Sequence, residues 1–271
     1  MRHWRNDIVS EAREFAARWG FLTQDLFFEF MCPMSRAHKF RYWNSLVECG
    51  HFRRSNASDK VLILTPKGRN VSGDAARPAR QSIYIEHDAI AARIILALKN
   101  RNLISRYWLE DELMRNPVDA FSILGGEQVP KIPDVVFDLR SSAGGSVRCS
   151  LEIERTTKSR SRYAKIALAY LGYSKVSVML FACDSDSAEA VVRQSFSGRA
   201  FADKKRVPGL FNITEFDPER LNTNIRFNDQ EMTFKNLLTI LTKFEIKPLR
   251  FSRDDKETAV SLKNTKKQEA A

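Results

Sequence analysis

Acidic residues interrupt two apolar segments in the stretch IPDVVFDLRSSAGGSVRCSLEIERTTKS, which runs from Ile132 to Ser159. Asp134 stands at the head of the first predicted strand, and Glu152 and Glu154 lie on the second. Side chains alternate between the two faces of a strand, so Glu152 and Glu154 point to the same face. A neighbouring strand brings Asp134 beside them, and the pattern predicts a cluster of three carboxylates.

Such a cluster has a definite chemistry. Three carboxylates that converge in a partly buried place repel each other, which raises their pKa values. A divalent cation removes the repulsion, and hard oxygen ligands suit Mg²⁺ or Mn²⁺. The metal would activate a water molecule and neutralise charge on a phosphodiester. Asp134, Glu152 and Glu154 are therefore the predicted metal ligands. The alternative is a solvated Glu-x-Glu face beside an aspartate that only begins a strand.

A basic segment follows the second strand, because RTTKSRSRYAK has five Arg and Lys residues in eleven positions. It begins a predicted helix, where cations oppose the positive end of the helix dipole. A phosphate group would relieve this conflict, so Lys158, Arg160 and Arg162 are predicted contacts to a nucleic-acid backbone. The alternative is a basic helix end that is only solvated.

The elements around these residues indicate an α/β (α+β) fold with a central mixed sheet flanked by helices. The predicted order is an amphipathic helix in YIEHDAIAARIILALKNR, a short strand in SRYWLEDELMRN and the strand pair that carries the acids. A helix over RTTKSRSRYAKIALAYLGY, a strand in SKVSVMLFAC and a helix in SAEAVVRQSF follow. The last predicted strand lies in VPGLFNITEF.

The first 72 residues predict a separate unit of three helices and a hairpin. One helix ends at Gly20, a second begins after Thr23, and a third lies between Ser35 and Gly50. This is the order of a winged helix-turn-helix, whose third helix enters the major groove of DNA. The predicted DNA contacts are Arg36, His38, Lys39, Arg41 and Tyr42 on that helix, and Arg53, Arg54 and Lys60 on the hairpin. A solvated helical domain or a protein-interaction module is the alternative.

Composition and the segments rich in glycine, proline and polar residues indicate the class of protein and its predicted domain limits. The chain of 271 residues has a formal net charge of +11 and is 43% hydrophobic, which favours a folded protein that meets a polyanion. The predicted limits are a winged-helix domain at 1–72, a linker at 73–82, a nuclease-like domain at 83–250 and a disordered tail at 251–271. With no apolar leader and no long apolar run, we expect a cytoplasmic protein without a membrane partner.

The acidic residues and their surroundings resemble the PD-(D/E)xK nuclease motif, with Pro133-Asp134 at its PD and Glu152-Ile153-Glu154 at its (D/E)xK. More narrowly, EHDAIAARIILAL, YWLEDELMR, KIPDVVFDL and LEIERTTKSRSRYAKIALAY look like the replication-relaxation family of plasmids and mobile elements. The resemblance covers most of residues 10–185. It implies a winged helix joined to a restriction-endonuclease-like domain.

The resemblance also implies roles for individual side chains. Asp134 and Glu152 would be metal ligands, and Glu154, at the motif's lysine position, a ligand or a water-orienting base. The missing amine would come from Lys165, or failing that from Lys158, as a charge stabiliser. The first helix would contribute a carboxylate, for which Glu86 is the candidate. The neighbouring His87 is expected to be a cap or surface residue.

The function predicted from these observations is DNA binding for a plasmid or mobile element, with a Mg²⁺- or Mn²⁺-dependent hydrolase that nicks or cuts DNA in replication, relaxation or transfer. The predicted partner is double-stranded DNA. The alternative is a non-enzymatic transcriptional regulator or assembly factor, whose degenerate nuclease fold serves for homodimerisation or docks a relaxase or transposase. Residue types alone leave both open.

Overall fold

A computed structural model describes residues 2–73, 76–126, 131–197, 201, 208–227 and 230–243, with side chains from Asp7 onward. The tail predicted at 251–271 lies outside the described residues. So do positions 74 and 75 of the predicted linker, and several segments of the predicted nuclease-like domain, including 244–250.

The first region combines helices with a small sheet. Its helices are α1 (Arg2–Trp19), α2 (Gln24–Leu26, continued by a π-helical turn at Phe27–Met31), α3 (Arg36–Glu48) and α4 (Pro66–Ser72). Its strands are β1 (Leu22–Thr23), β2 (Phe52–Ser55) and β3 (Ser58–Leu64). The strands pair antiparallel in the order β1-β3-β2.

Local sequence signals set the helix boundaries in this region. Gly20 follows α1 with φ of 81°, and Gly50 follows α3 with φ of 77°, in the left-handed region that favours glycine. The Thr23 hydroxyl accepts a hydrogen bond from the Leu26 amide at 3.3 Å and caps α2 as predicted. Ser35 also occupies the predicted cap of α3, but its hydroxyl pairs with His38 Nδ1 at 2.7 Å instead of a backbone amide.

The second region contains the main sheet. Its helices are α5 (Ser82–Lys99), α6 (Glu110–Arg115), α7 (Pro117–Leu124), α8 (Arg160–Gly172), α9 (Asp186–Ser195) and α10 (Phe234–Thr242). Its strands are β4 (Ile104–Leu109), β5 (Val135–Arg140), β6 (Ser146–Glu154), β7 (Val178–Cys183), β8 (Pro208–Asn212), β9 (Asn224–Phe227) and β10 (Gln230–Thr233).

These strands form one seven-stranded mixed sheet in the order β10-β9-β8-β7-β6-β5-β4. The β4-β5-β6 part is antiparallel, β6-β7-β8 is parallel, and β8-β9-β10 is antiparallel again. The prediction of an α/β fold with a mixed sheet flanked by helices is confirmed. The prediction that β8 is the last strand is wrong, because β9 and β10 extend the sheet beyond it. Each has only four residues, too short for a clear apolar pattern.

The two faces of the sheet are covered by different helices. Val135 and Leu151, which are paired in register, pack in the core that also contains the apolar face of α5. Val136 packs in the second core, together with Tyr163 and Tyr170 of α8. Since side chains alternate along β5 and β6, α5 and α8 lie on opposite faces of the sheet. Residues of both helices lie around the end of the sheet where β5 begins and β6 ends.

The first region packs directly against the second. The Arg18 guanidinium donates to both carboxylate oxygens of Glu112 in α6, at 2.6 and 2.9 Å. The Trp19 ring stacks on the Tyr107 ring of β4 with centroids 6.2 Å apart. One continuous apolar core includes buried side chains from both regions, so the predicted domain limits describe chain segments that share a core.

None of the helices among the described residues combines the length and the apolar character that a bilayer span requires.

Candidate functional site

Strand register brings Asp134 and Glu152 together. Val135 pairs with Leu151 in the antiparallel β5-β6 ladder, so Asp134, one residue before β5, lies opposite Glu152. The Asp134 carboxylate accepts a hydrogen bond from the Ile153 amide at 2.7 Å, which fixes it against the end of β6. The pairing of these two acids was predicted from the alternation of strand side chains, and it follows from the hairpin that joins the strands.

Lys131 lies at the centre of this acidic group. Its Nζ atom is 3.3 Å from Glu152 Oε2, 3.7 Å from Glu110 Oε1 and 3.9 Å from Asp134 Oδ1. Burial would lower the pKa of this amine, but the charges of Glu152, Asp134 and Glu110 outweigh burial and raise it. Lys131 therefore carries a firm positive charge between three carboxylates.

Glu152 is the most enclosed of these acids, with a side chain 1% exposed. The Tyr170 hydroxyl of α8 donates to Glu152 Oε1 at 2.8 Å. Burial and the nearby charge of Asp134 raise the pKa of Glu152 to about 8, although Lys131 opposes the shift. A carboxyl with such a pKa holds a proton near neutral pH and is suited to proton transfer.

Asp134 is held ionised by a network that reaches back to α5. His87 Nε2 lies 3.3 Å from Asp134 Oδ2, and His87 Nδ1 lies 3.0 Å from Asp88 Oδ1. Asp88 in turn pairs with Arg80 at 2.6 Å. Burial would raise the pKa of Asp134, but the His87 hydrogen bond and the Lys131 charge lower it to about 2. Burial lowers the pKa of His87, yet its bonds to Asp134 and Asp88 raise it to about 10.

Glu154 lies on the same face as Glu152, as predicted, but has its own partners. The Lys158 ammonium donates to both of its oxygens at 2.6 and 2.5 Å. The Tyr163 hydroxyl donates to Glu154 Oε2 at 3.0 Å. A single amine therefore neutralises Glu154 at the junction between β6 and α8. Lys158, predicted both as a phosphate contact and as a substitute amine, is engaged in this pair.

A cleft of about 870 Å³ opens beside these residues, between α5, the end of β6 and α8. Its cationic lining residues are Arg80, Lys131, Arg155, Lys158, Arg162 and Lys165, against the carboxylates Glu110, Asp134 and Glu154. Lys165, the first candidate for the missing amine, is exposed and lines this cleft. Arg162 also lines it, while the third predicted contact on α8, Arg160, is exposed on the first turn.

The acid proposed for the first helix lies elsewhere. Glu86 is 74% exposed and pairs with Arg155 at 2.6 Å. The next residue, His87, reaches Asp134 in its place, so the expectation that His87 is only a cap or surface residue is wrong. Neighbouring residues point about 100° apart on a helix, so Glu86 and His87 cannot both face the site. The sequence interpretation expected Glu86 to face it, whereas His87 does.

The carboxylates of Asp134, Glu152 and Glu154 are of the type that binds a hard cation, but they are not arranged around one point. Within the described ranges, no three His, Cys, Asp or Glu side chains are grouped so as to hold a metal ion. Of the three predicted ligands, Asp134 and Glu152 share Lys131, whereas Glu154 faces Lys158. Their oxygens are the ligands that Mg²⁺ and Mn²⁺ prefer, and a cation between them would take the position of the Lys131 ammonium.

The predicted DNA contacts of the first region lie on α3 and on the β2-β3 hairpin. The exposed members are Arg36, His38, Arg41, Arg53, Arg54 and Lys60. Lys39 and Tyr42 are half-buried, and Tyr42 packs against the core. Arg54 donates to the Asp59 carbonyl at 2.7 Å and to Asn44 Oδ1 at 3.1 Å, which ties the hairpin to α3.

A second groove of about 860 Å³ connects the hairpin with the second region. Lys60 and Ser58 of the hairpin line it together with Arg93 of α5, Arg155 and the four acids Asp25, Glu29, Glu86 and Asp184. Arg155 also lines the first cleft, so the basic hairpin and the acidic site open toward neighbouring grooves.

Three residues of the cluster were not found from the sequence as site residues. Lys131 lies in the connection before β5, Glu110 is the first residue of α6, and His87 lies on α5. The one local signal is KIPD, which places Lys131 three residues before Asp134. Glu110 and His87 carry no comparable signal, since only the tertiary fold brings them near.

Comparison of the chain with protein-family models, with curated proteins and with solved structures finds no match.

Proposed function

We propose that this protein binds DNA and that its second region is a nuclease-like unit that hydrolyses a phosphodiester of that DNA with Mg²⁺ or Mn²⁺. The observation that carries the proposal is the cluster of Asp134, Glu152 and Lys131. Asp134 and Lys131 line a cleft together with five further cations, and Glu152 lies buried behind them, 3.3 Å from the Lys131 amine. Acids this close to a surface that would hold phosphate support work on the phosphodiester.

The order of elements supports the nuclease-like part of the proposal. The elements run in the order α5, β4, α6, α7, β5, β6, α8 and β7. A helix thus precedes the antiparallel pair that bears the acids, and a second helix and a parallel strand follow it. This agrees with the order expected from the PD-(D/E)xK motif and, with it, from the replication-relaxation resemblance. Work on a plasmid or mobile element is the role that this resemblance would give the protein.

The first region supports the DNA-binding part. Three helices precede a hairpin, and α3 carries the exposed cations Arg36 and Arg41. In a winged helix-turn-helix this helix would enter the major groove, while Arg53 and Lys60 of the hairpin would approach the backbone.

The side chains of the cleft have distinct tasks in this proposal. Asp134 and Glu152 would hold the divalent cation, which when bound supplies water activation and neutralises phosphate charge. His87 orients Asp134 through the hydrogen bond to Oδ2 and keeps it ionised. Without a cation Glu152 holds a proton near neutral pH because of its raised pKa, and it would release that proton on binding the cation. Lys165 and Arg162 are exposed on α8 and would hold the phosphate.

A second candidate function is DNA binding without cutting. The observation that favours it is the internal neutralisation of the acids, with Lys158 on Glu154 and Lys131 between Glu152 and Asp134. In this case the acid and lysine pairs would only fix the edge of the sheet, and the second region would serve dimerisation or docking of a partner.

Plasmid nicking distinguishes the two candidates. Supercoiled plasmid is incubated with the full chain and Mn²⁺ or Mg²⁺, and conversion to the open circle is followed on gels. Asp134→Asn and Glu152→Gln are expected to lower the rate by roughly 100-fold or more, as loss of a proton-transfer or charged group does. Glu86→Gln, an acid on the same helix as His87 but outside the cluster, is the control and should cut normally.

Circular dichroism of each variant verifies that it is folded. Chelation of the metal should stop cutting, and renewed Mn²⁺ should restore it. If the wild-type chain binds duplex with a steep salt dependence but never nicks it with either metal, the nuclease proposal is wrong and the second candidate stands.

A further inference from the structure

The cleft contains exposed apolar side chains as well as cations. Ile83 is 71% exposed, Tyr84 44% and Leu168 66%, and all three line the cleft beside the candidate site. Phosphate-binding surfaces need charge and hydrogen-bond donors, but Ile83 and Leu168 supply neither, and Tyr84 adds an aromatic ring to its one hydroxyl donor. Their presence calls for a ligand with an apolar or aromatic surface as well as negative charge.

Two helices present these side chains from the two walls of the cleft. Ile83 and Tyr84 lie in the first turn of α5, one turn before His87, while Leu168 lies on α8 one turn after Lys165. The Arg80 guanidinium lies over the Tyr84 ring with Cζ 4.5 Å from the centroid. This cation–π contact orients the ring while nearly half of the side chain stays accessible.

Nucleic acid in one particular form combines these properties. In a duplex the faces of the bases are stacked inside, so a protein meets the backbone and, in the grooves, the base edges only. In a single strand the unstacked bases expose their faces, and proteins bind such strands by aromatic stacking within a basic groove. The cleft is about 870 Å³, within the range of roughly 300–1,000 Å³ typical of sites that enclose small ligands. The cleft is therefore large enough for a short segment of single-stranded nucleic acid.

We propose that this cleft binds single-stranded DNA, with a base against Tyr84 and Leu168 and the adjoining phosphates on Arg162 and Lys165. The inference rests on the proposed function, since it names the form of DNA that reaches the acidic cluster. The first region holds duplex, and a separated strand enters the cleft across Arg155, which lines both grooves.

Fluorescence anisotropy of the full chain in EDTA tests this without interference from cleavage. The probes are a labelled 20-nucleotide single strand and the duplex of the same sequence. Tyr84→Ala should weaken single-strand binding by roughly 5- to 100-fold, the range for loss of one base-stacking contact. Tyr84→Phe keeps the ring and should bind normally. Met114→Ala, an exposed apolar residue outside the cleft, is the matched control.

The outcomes separate this inference from the proposed function. Selective loss of single-strand binding in Tyr84→Ala, with duplex binding retained, supports the inference. Unchanged single-strand affinity in Tyr84→Ala, or an equal loss for both probes, overturns it while duplex binding still upholds the first region's role. Absence of binding to either probe by the wild-type chain overturns the proposed function and the inference together.

Discussion

At the scale of single residues, Lys131 decides the charge of the candidate site. Its ammonium lies within 4 Å of carboxylate oxygens of Glu152, Asp134 and Glu110. Removing one partner of a buried charge pair costs about 3–5 kcal/mol, so this amine is important for stability as well as for any reaction. An incoming phosphate would gain Lys131 as a partner, whereas an incoming cation would have to displace it.

His87 should give the stability of the protein a recognisable pH dependence. Its pKa is raised from 6.5 to about 10, so its stabilising effect is complete below pH 6.5 and is lost as the pH rises through about 10. His87→Gln should lower the free energy of unfolding at pH 6.5 by roughly 1.5–3 kcal/mol, the range for hydrogen bonds to charged groups. The deficit should shrink steadily toward pH 10.

Urea unfolding followed by circular dichroism at several pH values between 6 and 10 measures this difference. Subtracting the variant from the wild type removes the separate contribution of Glu152, whose raised pKa also makes stability fall with rising pH. His38→Gln, an exposed histidine on α3, is the control and should show no such trend. A deficit of equal size at pH 6.5 and pH 10 would contradict the assigned role of His87.

Strand periodicity explains which part of the site was predictable from the sequence. Asp134 and Glu152 were paired correctly because one hairpin connects their strands, and a period of two fixes their common face. Lys131 precedes Asp134 by three residues in a connection, whereas Glu110 and His87 come from α6 and α5, so no local spacing relates those two to the acids. The ion pair of Glu154 and Lys158 was not predicted either, because it depends on how the chain bends between the end of β6 and the start of α8.

At the scale of elements, local chemistry fixed most boundaries and tertiary contacts fixed the rest. Gly20 and Gly50 ended their helices as expected, because their positive φ angles are cheapest for glycine. The core strands β5 to β7 were predictable from long apolar runs. The pair β9 and β10 was not, since four-residue strands with few apolar side chains depend on the neighbouring β8 for their stability.

Gly209 makes a close approach between β8 and β9 possible. A Cβ atom there would lie 2.6 Å from the Phe227 ring and 3.0 Å from Ile225 Cγ2, both on β9. Gly209→Ala should therefore push β9 away from β8 and lower the free energy of unfolding by about 1–3 kcal/mol, as overpacking does. Urea unfolding of the purified variant measures the loss.

Gly172 offers the matched control for this substitution. It ends α8, and no atom lies within 4 Å of a Cβ built there. Since alanine is the better helix former, Gly172→Ala should leave stability unchanged or raise it by up to about 1 kcal/mol. If Gly209→Ala and Gly172→Ala changed the free energy of unfolding equally, the close β8-β9 contact would not be the reason for glycine at position 209.

At the scale of the whole molecule, the two regions share more than a linker. Buried side chains from α1, α2 and β3 belong to the same core as those of α5, β5 and β6. Ion pairs reinforce the contact, with Arg18 on Glu112 and Arg93 on Glu29. DNA held by α3 and the hairpin would for this reason keep a fixed position relative to the cleft. Independent domains on a flexible linker could not provide that geometry.

A shared core predicts that both regions unfold in one step. Native-state hydrogen exchange in increasing urea should give the buried amides of β3 and β6 the same opening free energy and the same urea dependence, because neither sheet keeps its core when the other opens. Amides of the short edge strand β10 serve as the internal control and should exchange earlier through local opening.

If β3 opens with a free energy more than about 1 kcal/mol below that of β6, and with a smaller urea dependence, the first region unfolds alone. In that case DNA bound by α3 would not be held in register with the acidic cluster, and cutting near the bound site would require a further contact to fix the strand.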